Sequence, residues 1–136
     1  GHAAEEIRSR VDLHGAAAVV CADWAAGQSA SLRAGLVALD GCDAVVVVLG
    51  DMPGVTTEAV AAIVAAGGDE EAVRATYGGR PGHPVLLRRA LLARAGELEG
   101  DTGFRDLLAG ATVREVEVGG LADPADIDTR EELARR

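Results

Sequence analysis

The chain has 136 residues, a formal net charge of −9 and a hydrophobic share of 49%. That length suits one domain with a fair core, smaller than that of a large enzyme. The acidic balance argues against general nucleic-acid binding, which needs a basic surface, and no apolar run approaches the roughly 20 residues of a membrane helix.

Every basic residue is arginine, and lysine and asparagine are absent. A phosphate-binding loop of the GKS/GKT type is therefore excluded. A phosphorylated small molecule gripped by a few local arginines is not. Trp24, Tyr77 and Phe104 are the only aromatic residues, so small aliphatic side chains must build the core. Cys21 and Cys42 each lie beside an apolar strand and outside any CxxC pair. They read as two buried free thiols, and with no signal peptide this points to the cytoplasm.

In chain order, helical spacing covers residues 3–11, with Ile7 and Val11 four apart. Residues 16–22 read as a short apolar strand and 23–28 as a loop. Ser29 can cap a helix over residues 30–39, whose Leu32, Leu36 and Leu39 share a face before Asp40-Gly41 ends it. The next strand, residues 44–49, is apolar without alternation, as expected of a strand buried on both faces in a parallel sheet. Gly50 allows a tight turn, Asp51 sits just past the strand's carboxyl end, and Pro53 ends the ladder. A helix over residues 57–66 stops at Gly67-Gly68.

Residues 72–77 read as a strand and residues 78–84 as a loop rich in glycine and proline. Residues 85–87 form a short extended piece or lead into a helix over residues 88–95. Another helix covers residues 103–108, with Asp101 and Thr102 as possible caps. Residues 113–118 alternate as in a half-exposed strand. The tail, 129–136, is a helix capped by Asp128 or Thr129 with glutamates in its first turn. This alternation implies a single α/β domain over residues 1–136, with a mainly parallel sheet covered by helices on both faces. The strands are few for such a sheet, and no glycine-rich loop heads a first strand–helix unit.

Four clusters can carry chemistry. Gln28, Ser29 and Ser31, after Gly27, place polar groups and backbone donors at a helix N-terminus, which suits an anion or a sugar hydroxyl, though capping also explains the serines. Asp51, after Gly50, lies where open α/β sheets gather ligands, and its carboxylate suits magnesium held against phosphates; a turn cap is the plainer role. Arg80, Gly82 and His83 join Asp101 and Arg105 in glycine-bearing loops, where the two arginines can each grip a phosphate or simply face solvent. Asp126 and Asp128 flank Ile127 and point the same way in an extended segment. With Asp51 they can complete an oxygen-ligand set for magnesium, although Asp128 also suits a helix cap.

In order and spacing, the segments GQSASLRAGL (27–36), VVVVLGDMPGV (45–55), YGGRPGHPVLLRR (77–89), GDTGFRDLL (100–108) and DIDTREEL (126–133) resemble the molybdenum cofactor cytidylyltransferase group. That group lies within the wider MobA-like family of nucleotidyltransferases, which includes molybdopterin-guanine-dinucleotide synthases. No segment is specific alone; the five in sequence are. The resemblance implies a three-layer, Rossmann-like nucleotidyltransferase fold of the glycosyltransferase-A kind. It also implies Mg2+-dependent transfer of a nucleotide from an NTP, most readily CTP, to the terminal phosphate of a molybdopterin-type acceptor, with pyrophosphate released. Carried over by position, Asp51 is the main metal ligand and catalytic residue, with Asp126 or Asp128 near the metal. Gln28, Ser29, Ser31, Gly50 and Asp51 approach the nucleotide, and Arg80, Gly82, His83, Asp101 and Arg105 face the acceptor.

The family begins with a strand and a glycine-rich loop of the type LAAGxSxRxGxxK, and nothing like it is present here. The expectation is a fold incomplete at its N-terminus by about two strands, and a chain inactive on its own. Rival expectations are a guanylyltransferase or sugar-phosphate nucleotidyltransferase of the same fold, or a non-catalytic protein that hands molybdenum cofactor to a molybdoenzyme or its chaperone.

Overall fold

The computed structural model describes residues 2–95 and 104–135. Its sheet has four strands in the order β1-β3-β2-β4. β2 (Ala72–Tyr77) and β3 (Arg80–Arg88) form a hairpin about the two-residue turn Gly78-Gly79. Both glycines hold positive φ, 59° and 76°, as such a turn demands. The loop expected over residues 78–84 is thus mostly strand, because two glycines reverse the chain without further residues.

β1 (Ala44–Val47) pairs antiparallel with β3, and β4 (Val113–Glu117) pairs parallel with β2. β1, β2 and β4 therefore share a direction, as a mainly parallel sheet requires. Two of the three ladders are nevertheless antiparallel, because β3 folds back between β1 and β2. β1 is an edge strand among the described ones, shorter than its apolar run, and Val48 just beyond it is 44% exposed. The apolar stretch 16–22 makes no ladder: Cys21 is buried, but Val19 and Val20 are about half exposed. Apolar composition marks a candidate strand, but a strand forms only where a neighbour completes the hydrogen bonds, and no described strand lies beside this one. Both cysteines are free; Cys21 is buried as expected and Cys42 is exposed.

Helices cover both faces, giving the expected three layers. On one face α3 (Thr57–Ala65) sets Ala59 and Ile63 against Val73, Ala75, Tyr77, Leu86 and Val118. On the other, α4 (Arg89–Ala95) and α5 (Phe104–Leu107) bring Leu91, Ala95 and Leu107 onto Ala72, Val85 and Leu87. Leu32 and Leu36 of α2 (Gln28–Val37) join the second cluster. Alternation explains the division: Val73 and Ala75 point one way, and Ala72, the first residue of β2, the other. α1 (Ala4–Arg10) buries no residue. α6 (Arg130–Leu133) starts with a capping box between Thr129 and Glu132, so Thr129 is the cap and not Asp128. Among the described residues no helix is long and apolar enough to cross a membrane.

Candidate active site at the carboxyl edge of the sheet

β1, β2 and β4 point their carboxyl ends the same way, and the segments leaving them meet there. After β1, the chain turns through residues 48–55, closed by Met52 N–H to Leu49 C=O (3.3 Å) and Val55 N–H to Met52 C=O (3.2 Å). Met52 is buried and anchors the turn, leaving Asp51 exposed beside it. After β4, Val118 is buried and the chain turns back through Leu121.

Three hydrogen bonds then tie these two segments together. Ile127 N–H donates to the Asp51 carbonyl at 2.9 Å, Asp123 N–H to the Gly54 carbonyl at 3.1 Å, and the Thr56 hydroxyl to the Leu121 carbonyl at 2.8 Å. Thr56 also accepts from Ala59 N–H, capping α3. The approach is close enough to require glycine: a Cβ on Gly54 would stand 2.6 Å from the Asp123 carbonyl oxygen. Asp126 and Asp128 therefore flank the residue whose backbone is bonded to Asp51.

The hairpin supplies the third wall. Register along β2–β3 runs regularly from Ala72↔Leu87 to Arg74↔Val85, then jumps to Ala75↔Gly82. The jump leaves His83 and Pro84 as extra residues on β3, a bulge of the kind that re-aims side chains beside active sites. Because Val47 pairs with Val85, this bulge lies just beyond the carboxyl end of β1. The Tyr77 hydroxyl donates to the His83 carbonyl at 2.6 Å, and Gly82 makes room for the Tyr77 ring, which a Cβ there would meet at 2.9 Å. Burial pushes the His83 pKa below the usual imidazole value, and the charge of nearby Asp51 pulls it back up. The balance keeps His83 mainly neutral at pH 7. Burial, with the negative charges of Asp123 and Glu117, raises the Tyr77 pKa and keeps its hydroxyl a donor.

Glu117, at the end of β4, holds the hairpin turn. Its Oε1 accepts from Gly78 N–H (2.9 Å) and Gly119 N–H (3.0 Å), and its Oε2 from Gly79 N–H (3.1 Å) and the Thr76 hydroxyl (3.0 Å). These donors, the Gly78 amide foremost, push the Glu117 pKa down to about 2. The sequence reading missed Glu117, Tyr77, Gly54 and Thr56. The Gly78-Gly79 pair was a readable hairpin signal, but nothing in the alternation of β4 singles out Glu117.

Asp51, Gly50, His83, Gly82 and the Asp126–Asp128 segment all belong to this edge, and exposed Arg80 opens β3 beside the turn. Gln28, Ser29 and Ser31 occupy the first turn of α2, which packs on α4 and on the short 3-10 turn Trp24–Ala26. Gly27, with φ of 114°, is the N-cap, so Ser29 is not the cap. It is buried in the first turn, where its hydroxyl accepts from Arg33. Glycine takes the cap position because that φ disfavours any side chain. Arg105 is exposed on α5, and Asp101 lies outside the described residues. Among the described residues no three His, Cys, Asp or Glu side chains converge tightly enough to hold a metal ion by themselves.

A sheet whose carboxyl edge gathers carboxylates, a neutral imidazole and Arg80, between two helical layers, is the arrangement of a nucleotide-handling α/β domain. The model of the MobA-like NTP transferase domain matches residues 2–117, and the chain belongs to that family. Solved structures agree. Rv0371c from Mycobacterium tuberculosis H37Rv is 31% identical with a TM-score of 0.82, covering 99% of this chain and 70% of its own. The same protein in complex with manganese gives 31% identity and a TM-score of 0.81, over 99% of this chain and 72% of the other. An Rv0371c homolog from Mycobacterium sp. strain JC1 gives 32% identity and 0.77, over 99% and 69%. No curated protein matches the chain. The fold is thus that of a nucleotidyltransferase domain, and an NTP is the substrate class that the family implies.

Proposed function

We propose that the domain serves Mg2+-dependent transfer of a nucleoside monophosphate from CTP to the terminal phosphate of a molybdopterin-type acceptor. The observation that carries this reading is the bond from Ile127 N–H to the Asp51 carbonyl, which brings the Asp126–Asp128 segment against Asp51. Magnesium takes one or two carboxylates and fills its remaining positions with water and substrate phosphates. A site with fewer than three converging protein ligands therefore fits it, and the manganese complex of the similar Rv0371c supports a divalent cation here. Asp51, with Asp126 or Asp128, would hold the cation, which when bound supplies positive charge against the phosphates.

The chain's own residues do the rest. An acceptor phosphate oxygen, already anionic, attacks the α-phosphorus in line and pyrophosphate leaves, so no general base is needed. Catalysis is then positioning and charge neutralisation. Arg80 and Arg105 grip the acceptor phosphate, with Gly82 giving it close access to the backbone. Neutral His83 offers a ring nitrogen for hydrogen bonding without adding charge. Gln28 and Ser31, exposed in the first turn of α2, meet the base or ribose, whereas buried Ser29 supports that turn; the family resemblance assigns Asp101 to the acceptor.

The test is pyrophosphate release by the intact protein with Mg2+, molybdopterin and each of CTP, GTP and ATP. CTP should be preferred, and Asp51→Asn should cost roughly 100-fold or more in rate. Near-normal turnover in that variant would overturn the assignment of Asp51; preference for another nucleotide would overturn the cytidylyl reading.

A further inference from the structure

We propose that Glu117 is a positioning residue which fixes the acceptor-side hairpin, and couples it to the segment carrying Asp126 and Asp128. This rests on the reading of that hairpin as the acceptor wall. Glu117 touches no assigned site residue itself. Its carboxylate spans two segments that the β2–β4 ladder leaves behind at Thr76↔Glu117. On one side it holds Gly78 and Gly79, immediately before Arg80; on the other it holds Gly119, at the start of the return toward Asp123.

No other carboxylate on β4 acts this way. Glu115, on the same face, pairs with Arg74 in mid-strand. The approach at Gly119 is close: a Cβ there would stand 2.7 Å from Glu117 Oε1. A turn of two glycines has the least intrinsic stiffness of any turn. Its direction is set from outside, by four hydrogen bonds to one charged group, and these are stronger than neutral ones. The low pKa of Glu117, about 2, agrees with that geometry, because it reports how strongly the amides favour the charged form.

An amide in place of the carboxylate keeps the size but loses the match. Glutamine offers one accepting oxygen, and its NH2 group faces N–H donors. The Gly78-Gly79 turn then loosens and Arg80 and His83 lose their fixed placement. Misplacement of about 1 Å can cost on the order of 100-fold in a positioned reaction.

The experiment compares Glu117→Gln with Glu115→Gln in the intact protein, with CTP as donor and molybdopterin as acceptor, alongside amide hydrogen exchange of Gly78, Gly79 and Gly119 without substrates. In Glu117→Gln the KM for molybdopterin should rise about 10- to 100-fold while the KM for CTP stays within about twofold, and the three glycine amides should exchange faster. Glu115→Gln should do neither. Equal rises in both KM values, or unchanged exchange, would overturn the proposal. If the unsubstituted protein transfers no nucleotide, the transferase reading fails instead; unchanged glycine exchange in Glu117→Gln would then overturn the clamp as well, and faster exchange would support it.

Discussion

Glu117 and Asp51 are both exposed carboxylates at the same sheet edge, yet their surroundings differ. Glu117 spends its oxygens on the protein's own amides, whereas the bond at Asp51 is made by its backbone carbonyl. The first arrangement has a pH signature. Hydrogen bonding holds the Glu117 pKa at about 2, against an ordinary 4.5. Between those values the unfolded chain binds more protons than the folded one, so stability falls as pH falls. The contribution is complete above about pH 4.5 and lost on descent through about pH 2. Urea midpoints of the unsubstituted protein and Glu117→Gln should therefore differ most above pH 4.5 and converge toward pH 2. A difference that stays constant over that window would contradict the hydrogen-bonded carboxylate.

At the scale of elements, the site depends on two turns meeting more closely than side chains usually permit. Gly54 is where they touch, and its φ is ordinary; the requirement is one of space. Gly54→Ala places a Cβ 2.6 Å from the Asp123 carbonyl, a backbone atom that cannot swing aside as a flexible side chain would. Overpacking of this kind costs about 1–3 kcal/mol. Thermal unfolding should show that loss, together with weaker binding of a divalent cation as the Asp126–Asp128 segment is pushed from Asp51. A fully stable variant would show that the stitch between the segments is dispensable. The helices that carry this scaffold were legible because their signals are local: an apolar run closed by Gly67-Gly68, and Thr129 three residues before Glu132. The strands were less so. Residues 16–22 and 44–49 look alike as apolar runs, and only the ladder partner offered by β3 separates them. The hairpin reads as a loop in sequence because residues 78–84 hold three glycines and two prolines, and the bulge at His83 and Pro84 is set by pairing, not by composition.

For the whole molecule, motif order located the family, whereas Asp51, His83 and Ile127 come from distant segments that only the fold brings to one edge of the sheet. Spacing could not reveal the residues that hold those segments in place. Glu117, Tyr77 and Thr56 act through contacts 39, 6 and 65 residues away along the chain. It also could not foresee that Ser29 is buried behind a glycine cap. We propose that Asp51 and the Asp126–Asp128 segment together form a divalent-cation site for a nucleotide. Its most direct measurement is Mn2+ binding followed by electron paramagnetic resonance in the presence of CTP, in the unsubstituted protein, Asp51→Asn, Asp126→Asn and Asp128→Asn. Asp51→Asn should weaken Mn2+ binding at least about 10-fold, as should one of the other two. Unchanged affinity in all three variants would contradict it.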